Sequence, residues 1–183
     1  MVSAAAANAG APAWPVADEA GRLPLPWLAE PLGRLLGQPG HALLVVGSAG
    51  AGVLALQMTA AQAWLCEQRA PGAPAAAPCG RCASCHLVRV GTHPDLQCLL
   101  PEALQLELGA VPAAEAADGG SGKRKPSRQI RIGAVRAVLD WVATTGSRGR
   151  AKVVVLHPAE ALNPQSANAL LKTLEEPPPG VRL

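Results

Sequence analysis

The chain has 183 residues and a formal charge of +3, and its 49% apolar content comes mostly from Ala, Leu and Val, enough for one ordinary domain with a sizeable core. Phe and Tyr are absent, so Trp14, Trp27, Trp64 and Trp141 are the large aromatics, a composition that favours helices over an all-β fold because Ala and Leu are helix formers. The sequence has no run of eighteen apolar residues, which argues against a membrane span. No basic residue precedes Arg22, which argues against a secretory signal. A cytoplasmic location is therefore expected, where five cysteines point to metal or plain thiols before disulfides. The weak basic bias permits contact with a nucleic-acid backbone without predicting it.

Residues 1–25 are Ala- and Pro-rich. They bury too little to offset ordering entropy, and a disordered tail is expected. A short amphipathic helix is expected over 28–36. The run Ala42-Leu43-Leu44-Val45-Val46, ended by Gly47, reads as a buried strand of a parallel sheet. A glycine-rich turn and a helix over 53–67 follow. Residues 70–78 read as a loop, leading to the cysteine cluster and a short strand over 96–100. Residues 101–128 read as an irregular, flexible insertion with a basic, glycine-rich end, which predicts a solvated loop. Ile132, Val135, Val138, Leu139 and Val142 recur at helical spacing, and Val153–Leu156 is a second buried strand. Asn163 is placed to cap the next helix, with Pro164 at its first position. Ala167, Leu170, Leu171 and Leu174 are its expected buried face, and Pro177-Pro178-Pro179 end it. Strand–turn–helix repetition predicts an α/β fold with a parallel sheet.

Gly47-Ser48-Ala49-Gly50-Ala51-Gly52 has the glycine spacing and the strand-to-helix setting of a phosphate-binding loop. Such a loop continues with Lys, to balance phosphate charge, and Ser or Thr, to hold magnesium. Here Val53 and Leu54 stand at those positions. After the second strand, where an ATPase needs an acidic pair, come His157 and Pro158, with Glu160 displaced along the chain. Both halves of the machinery are missing together, so an inactive copy of a nucleotide fold is expected, with no functional ATP site.

Cys79-x2-Cys82-x2-Cys85 packs three thiols into seven residues, and Cys66 at the end of the preceding helix supplies a fourth. Four thiolates close a tetrahedral Zn²⁺ shell, which predicts a structural zinc module over 66–95. Cys82-Ala83-Ser84-Cys85-His86 also matches the c-type haem attachment motif, a reading that leaves Cys66 and Cys79 unexplained. Cys98 reads as a buried thiol and His93-Pro94-Asp95 as a turn.

The run from Ser166 to Glu176, followed by Pro177 and Pro178, resembles a helix of bacterial DNA polymerase III clamp-loader subunits. Within that group the delta-prime subunits are the best match. His41-Ala-Leu-Leu44 ahead of the defective loop, the three spaced cysteines, Gly91-Thr-His-Pro-Asp95 and Pro26-Trp27-Leu28 carry the same likeness. The resemblance covers 26–183 apart from the insertion. It implies an AAA+ type sheet flanked by helices, incomplete at Leu183, with the lid and C-terminal collar domains and the Ser-Arg-Cys finger of the family absent from the sequence. It implies a component of the polymerase holoenzyme without catalysis of its own, in a ring that loads the sliding clamp onto primed DNA. The implied partners are the gamma/tau and delta subunits, with DNA reached only through the complex and no membrane. Ser166, Asn168, Lys172, Glu175 and Glu176 are the polar positions of the family helix. An active ATPase would need Lys and Asp where Val53 and His157 stand. A zinc-ribbon nucleic-acid binder would need basic and aromatic residues around the cysteines, where only Arg81 and Arg89 are close.

Overall fold

Val153, Val154 and Val155 hold the middle of the fold. In the computed structural model, which describes residues 14–69, 77–110 and 125–183, they belong to β2 (Lys152–Leu156). It lies between β1 (Leu96–Leu99) and β3 (Val181–Arg182). Both pairings are parallel, with Leu96 opposite Val153 and Lys152 opposite Val181. Parallel neighbours need crossover connections, which cover both faces of the sheet and call for an apolar central strand, as Val153–Leu156 are. Side chains alternate along β2 accordingly. Val153 and Val155 pack with Met58, Ala61, Leu65 and Val88, while Val154 packs with Val135, Val138, Val142 and Leu170.

The first face is covered by α2 (Val53–Leu65), the second by α5 (Ile132–Val142) and α6 (Pro164–Glu175). Helix α1 (Ala29–Leu36) closes over α2, setting Leu28, Leu32 and Leu36 against Ala55, Leu56, Ala60 and Ala63. The short helices α3 (Ala83–Arg89) and α4 (Glu102–Glu107) flank β1 in the chain. With neighbours on opposite sides, α2 buries polar residues too, including Thr59 and Gln62. Gln62 answers with its carboxamide: Oε1 accepts from Ala17 N–H (2.9 Å), and Nε2 donates to Ala17 O (3.1 Å) and Cys85 O (3.3 Å).

That pairing lays the chain before α1 across α2 and buries Val16 and Ala17. Residues 14–25, expected as tail, therefore pack on the domain; 1–13 lie outside the described residues. The insertion expected over 101–128 contains α4, whose Glu102 accepts from Ser127 N–H (2.9 Å) and pairs with Arg131. Residues 111–124 of it, and 70–76 of the expected loop, lie outside the described residues.

The strand expected at Ala42–Val46 is not formed. Leu43 N–H donates to Leu183 O (3.0 Å) and Leu183 N–H to His41 O (2.7 Å), the start of a parallel ladder with the end of β3. Leu44 and Val46 are 80% and 85% exposed.

Helix α6 begins as expected, with Asn163 Oδ1 accepting from Ser166 N–H (2.8 Å) and Pro164 at the first position. Its inner face is narrower than expected. Ser166 and Leu170, one turn apart, are buried, and Ser166 Oγ donates to Ile130 O (2.9 Å). Leu171, a further 100° round, is 51% exposed and Leu174 37%, correcting the expectation that both face the sheet. Asn168, Lys172, Glu175 and Glu176 are exposed. In urea melts of the full-length protein, Leu170→Ala should cost about 2–5 kcal/mol through its cavity. Leu171→Ala should fall within about 0.5 kcal/mol, as surface substitutions do. Equal losses would show that α6 is rotated from this position.

Candidate metal centre and phosphate loop

The four cysteines predicted as ligands converge at one end of α2. Cys66 is its C-terminal cap, Cys79 lies in the following loop, Cys82 caps α3 and Cys85 sits in its first turn. All four Sγ atoms lie within 4.8 Å of one another, with Cys79–Cys85 at 3.9 Å and Cys66–Cys82 at 4.0 Å. A tetrahedral site with metal–sulfur bonds of about 2.3 Å has sulfur–sulfur edges of about 3.8 Å, so the cluster has the size of a metal shell. Backbone amides point at the sulfurs: Cys79 N–H at Cys66 Sγ (3.5 Å), Cys82 N–H at Cys79 Sγ and Cys85 N–H at Cys82 Sγ (both 3.4 Å). Gly80, at φ +74°, is required here, because a Cβ would lie 1.9 Å from Asp18 O.

Burial pushes the Cys66 and Cys85 thiols up. It acts the same way on Cys79, but the N–H groups of Cys82 and Arg81 outweigh it and bring that thiol down to about 7. Four thiolates this close repel one another, and a bound cation is what allows them to ionise together. The set could therefore hold a metal ion. The inward turn of Cys82 and Cys85 onto Cys66 and Cys79 leaves His86 exposed beside Arg89, with its Nδ1 3.2 Å from Nη2. That is not the arrangement a haem motif needs. Cys98 lies apart against Met58, and burial raises its thiol to about 12.

A second set of residues ties this module to the sheet. Asp95, fully buried ahead of β1, accepts from the N–H groups of Ser147 (2.7 Å) and Arg148 (2.9 Å). Arg148 then reaches Ser84 Oγ (3.0 Å), between Cys82 and Cys85, and Glu67 Oε1 (2.5 Å), next to Cys66. Arg150 donates to the carbonyls of Glu67 and Arg69. The bond to Arg148 holds the Glu67 carboxyl below its usual range, so this pair stabilises the fold above the unfolded carboxyl's pKa and is lost as pH falls through the lowered one. Residues 93–95, expected as a turn, thus anchor the module. The buried anchoring role of Asp95 has one signal in the sequence, an acid directly before an apolar strand. Neighbouring His93 is also buried, and its Nδ1 accepts from Asp95 N–H (3.0 Å).

The glycine loop lies at the other end of α2. Gly50 and Gly52 take positive φ (82° and 90°), and Gly52 caps the helix without side-chain help. Val53 folds back over the loop, so that a Cβ on Gly47 would meet its Cγ2 at 2.8 Å. Gly47, Gly50, Gly52, Val53 and Leu54 share one open cavity of about 1560 Å³ with His157, Pro158 and Glu160. The glycine loop and the segment after β2 thus face each other. Among the described residues lining this cavity there is no Lys or Arg, and the acids are Glu107 and Glu160. Burial lowers the His157 pKa and keeps its imidazole neutral at pH 7.

Residues 36–183 match a family profile described as "DNA polymerase III, delta subunit". The chain belongs to this family. Its relatives include "DNA polymerase III subunit delta'" of Pseudomonas aeruginosa, 40% identical over 76% of this chain and 35% of that protein. The protein of the same description from Escherichia coli K12 is 34% identical over 84% of this chain and 40% of its own length. "DNA polymerase III subunit tau" of Salmonella typhimurium is 31% identical over 82% of this chain and 19% of its own. The chain thus spans well under half the length of these relatives.

Within this family member, Asp95→Ala removes two charge-assisted hydrogen bonds, each worth about 1.5–3 kcal/mol. The loss should stay below their sum, because the freed amides of Ser147 and Arg148 can reach water. Glu67→Gln breaks a half-exposed pair worth about 0–1 kcal/mol. Chemical denaturation at pH 7 should rank Asp95→Ala clearly below Glu67→Gln in stability, and the reverse order would remove Asp95 as the anchor.

Proposed function

We propose that this chain is the front part of a non-hydrolysing delta-prime subunit of the DNA polymerase III clamp loader, built on a degenerate AAA+ module with a structural zinc. The observation that carries this reading is the pairing of Val53 and Leu54 with His157 and Pro158 across one cavity. A phosphoryl-transfer site works by electrostatic stabilisation and positioning, through a lysine on the phosphates and carboxylate-held magnesium. Here the corresponding positions carry two apolar side chains, an imidazole and a proline, and the described acids in the lining would repel a polyphosphate. What the module offers instead is a rigid α/β body, and in this reading it acts as a scaffold among the gamma/tau and delta subunits in the cytoplasm. It supports clamp loading onto primed DNA through the complex. Steady-state ATPase measurements on the full-length protein should show no turnover. Val53→Lys with Leu54→Thr should not create it, because His157 and Pro158 leave magnesium without its carboxylate. Turnover in the unsubstituted protein, surviving removal of contaminating ATPases, would favour the active-ATPase alternative.

Zn²⁺ on Cys66, Cys79, Cys82 and Cys85 would fasten the loop after α2 to the start of α3, with no ligand position open for chemistry. Metal analysis should find about one equivalent per chain, and chelation should loosen the module because release of a four-thiolate metal is coupled to local unfolding. Cys66→Ser should lower the content well below half. Full retention in that variant would remove Cys66 from the set.

A further inference from the structure

Three half-buried arginines from distant parts of the chain meet at the C-terminal end of α2. Arg150, just ahead of β2, donates to the carbonyls of Glu67 (2.7 Å) and Arg69 (2.9 Å), the use expected of a cation at a helix C-terminus. Arg182 reaches the same end from β3. Its register partner is Val153, which packs toward α2, so the Arg182 side chain stands on the α2 face of the sheet. Its guanidinium carbon lies 5.2 Å from the centre of the Trp64 ring, and Nη1 donates to Gly40 O (3.3 Å). Arg69 is near enough to feel both: burial and the positive charges of Arg182 and Arg150 lower its pKa, with Cys66 acting the other way. Among the described residues, no carboxylate pairs with Arg150 or Arg182, and neighbouring Glu67 is held by Arg148. The carbonyls at the end of α2 account for Arg150 alone. Bringing further cations to the same half-buried place costs free energy unless an anion joins them.

We propose that Arg150 and Arg182, with Arg69 beside them, form a binding site for a phosphate group, either free phosphate or a phosphodiester of a nucleic-acid backbone. Guanidinium forks match phosphate oxygens in geometry as well as charge. The bonds to Glu67, Arg69 and Gly40 use only part of the donor forks of Arg150 and Arg182. The contact with Trp64 restrains Arg182 without consuming its N–H donors. The site lies at the opposite end of α2 from the glycine loop, whose cavity has no Lys or Arg among its described lining residues. Phosphate recognition by this chain is thereby assigned to the end of the helix where the cations are.

Arginine side-chain NMR on the full-length protein tests this, with inorganic phosphate and a short DNA duplex as separate probes and sodium chloride at matched ionic strength as the control. The Nε–H resonances of Arg150 and Arg182 should shift and saturate with at least one probe and stay in place with chloride. Arg182→Gln should weaken that binding about tenfold, and Arg182→Lys, which keeps the charge but loses the fork, should restore it only in part. Saturation by phosphate with no gain on DNA would identify a free anion as the ligand. Tighter binding of DNA, with a salt dependence that falls by about 0.9 in log–log slope in Arg182→Gln, would identify a backbone phosphate. Absence of saturable shifts with both probes would overturn the proposal, as would unchanged affinity in Arg182→Gln. Loss of bound zinc in that variant with phosphate binding intact would make the arginines counter-charges of the cysteine cluster, and would overturn it as well. No clamp-loader partner and no ATP turnover enters these measurements, so this site and the clamp-loader reading stand or fall separately.

Discussion

The constraint on which the rest depends is that β2, hydrogen-bonded in parallel along both sides, must be covered on both faces. Three consecutive valines satisfy it, two turned toward α2 and one toward α5 and α6. Once α2 lies on the sheet and α1 lies on α2, the helix has little free surface left. Its alanines then become an asset, since Ala55, Ala60, Ala61 and Ala63 let the neighbouring layers approach closely. The scarcity of aromatics has the same explanation: this core is thin and filled by small and branched side chains.

Covering β2 with α2 also sets the distance between the two candidate sites. Thirteen helical residues at about 1.5 Å each separate the glycine loop from Cys66 by about 20 Å. The phosphate-loop end is open and lined mainly by apolar side chains. The cysteine end is closed and cross-tied. Asp95, Arg148, Ser84 and Glu67 connect the cysteine module to the turn that feeds β2, so the cysteine cluster and the sheet share a mechanical path through the buried side chain of Asp95. A metal there would reinforce a junction that hydrogen bonds already define.

Much of this was legible in the sequence because it depends on local rules. The Asn163-Pro164 start of α6, the helical spacing over 132–142 and the seven-residue cysteine cluster each encode their geometry within a turn or two. The departures involve partners distant along the chain. Leu171 is as apolar as Leu170, and only the contact of α6 with α5 and β2 decides which of them is buried. Ala42–Val46 has strand composition, but a strand is defined by its neighbour, and the backbone bonds of this segment go to Leu183, far along the chain. Gln62 carries no sign that it will clasp Ala17 from 45 residues away. Asp95 gave a weak signal, since its two acceptor bonds go to residues more than 50 positions later.

The glycine loop owes its form to contacts that involve no phosphate. The glycines remain necessary for reasons unrelated to phosphate. Gly52 caps α2 at φ +90°, with Leu25 Cδ1 2.5 Å from where a Cβ would stand, and Gly47 leaves room for the Val53 side chain. A lysine at position 53 would be unfavourable without phosphates: its ammonium would stand over an apolar cavity with no bound anion to pair with. Valine removes that cost and packs against the loop it begins. Neutral His157 on the opposite side is consistent with the same environment, because an acid there would be desolvated with no metal to offset its charge. Val53 and His157 thus suit the same apolar cavity. The glycines that shape the turn are therefore required by the packing of the fold itself.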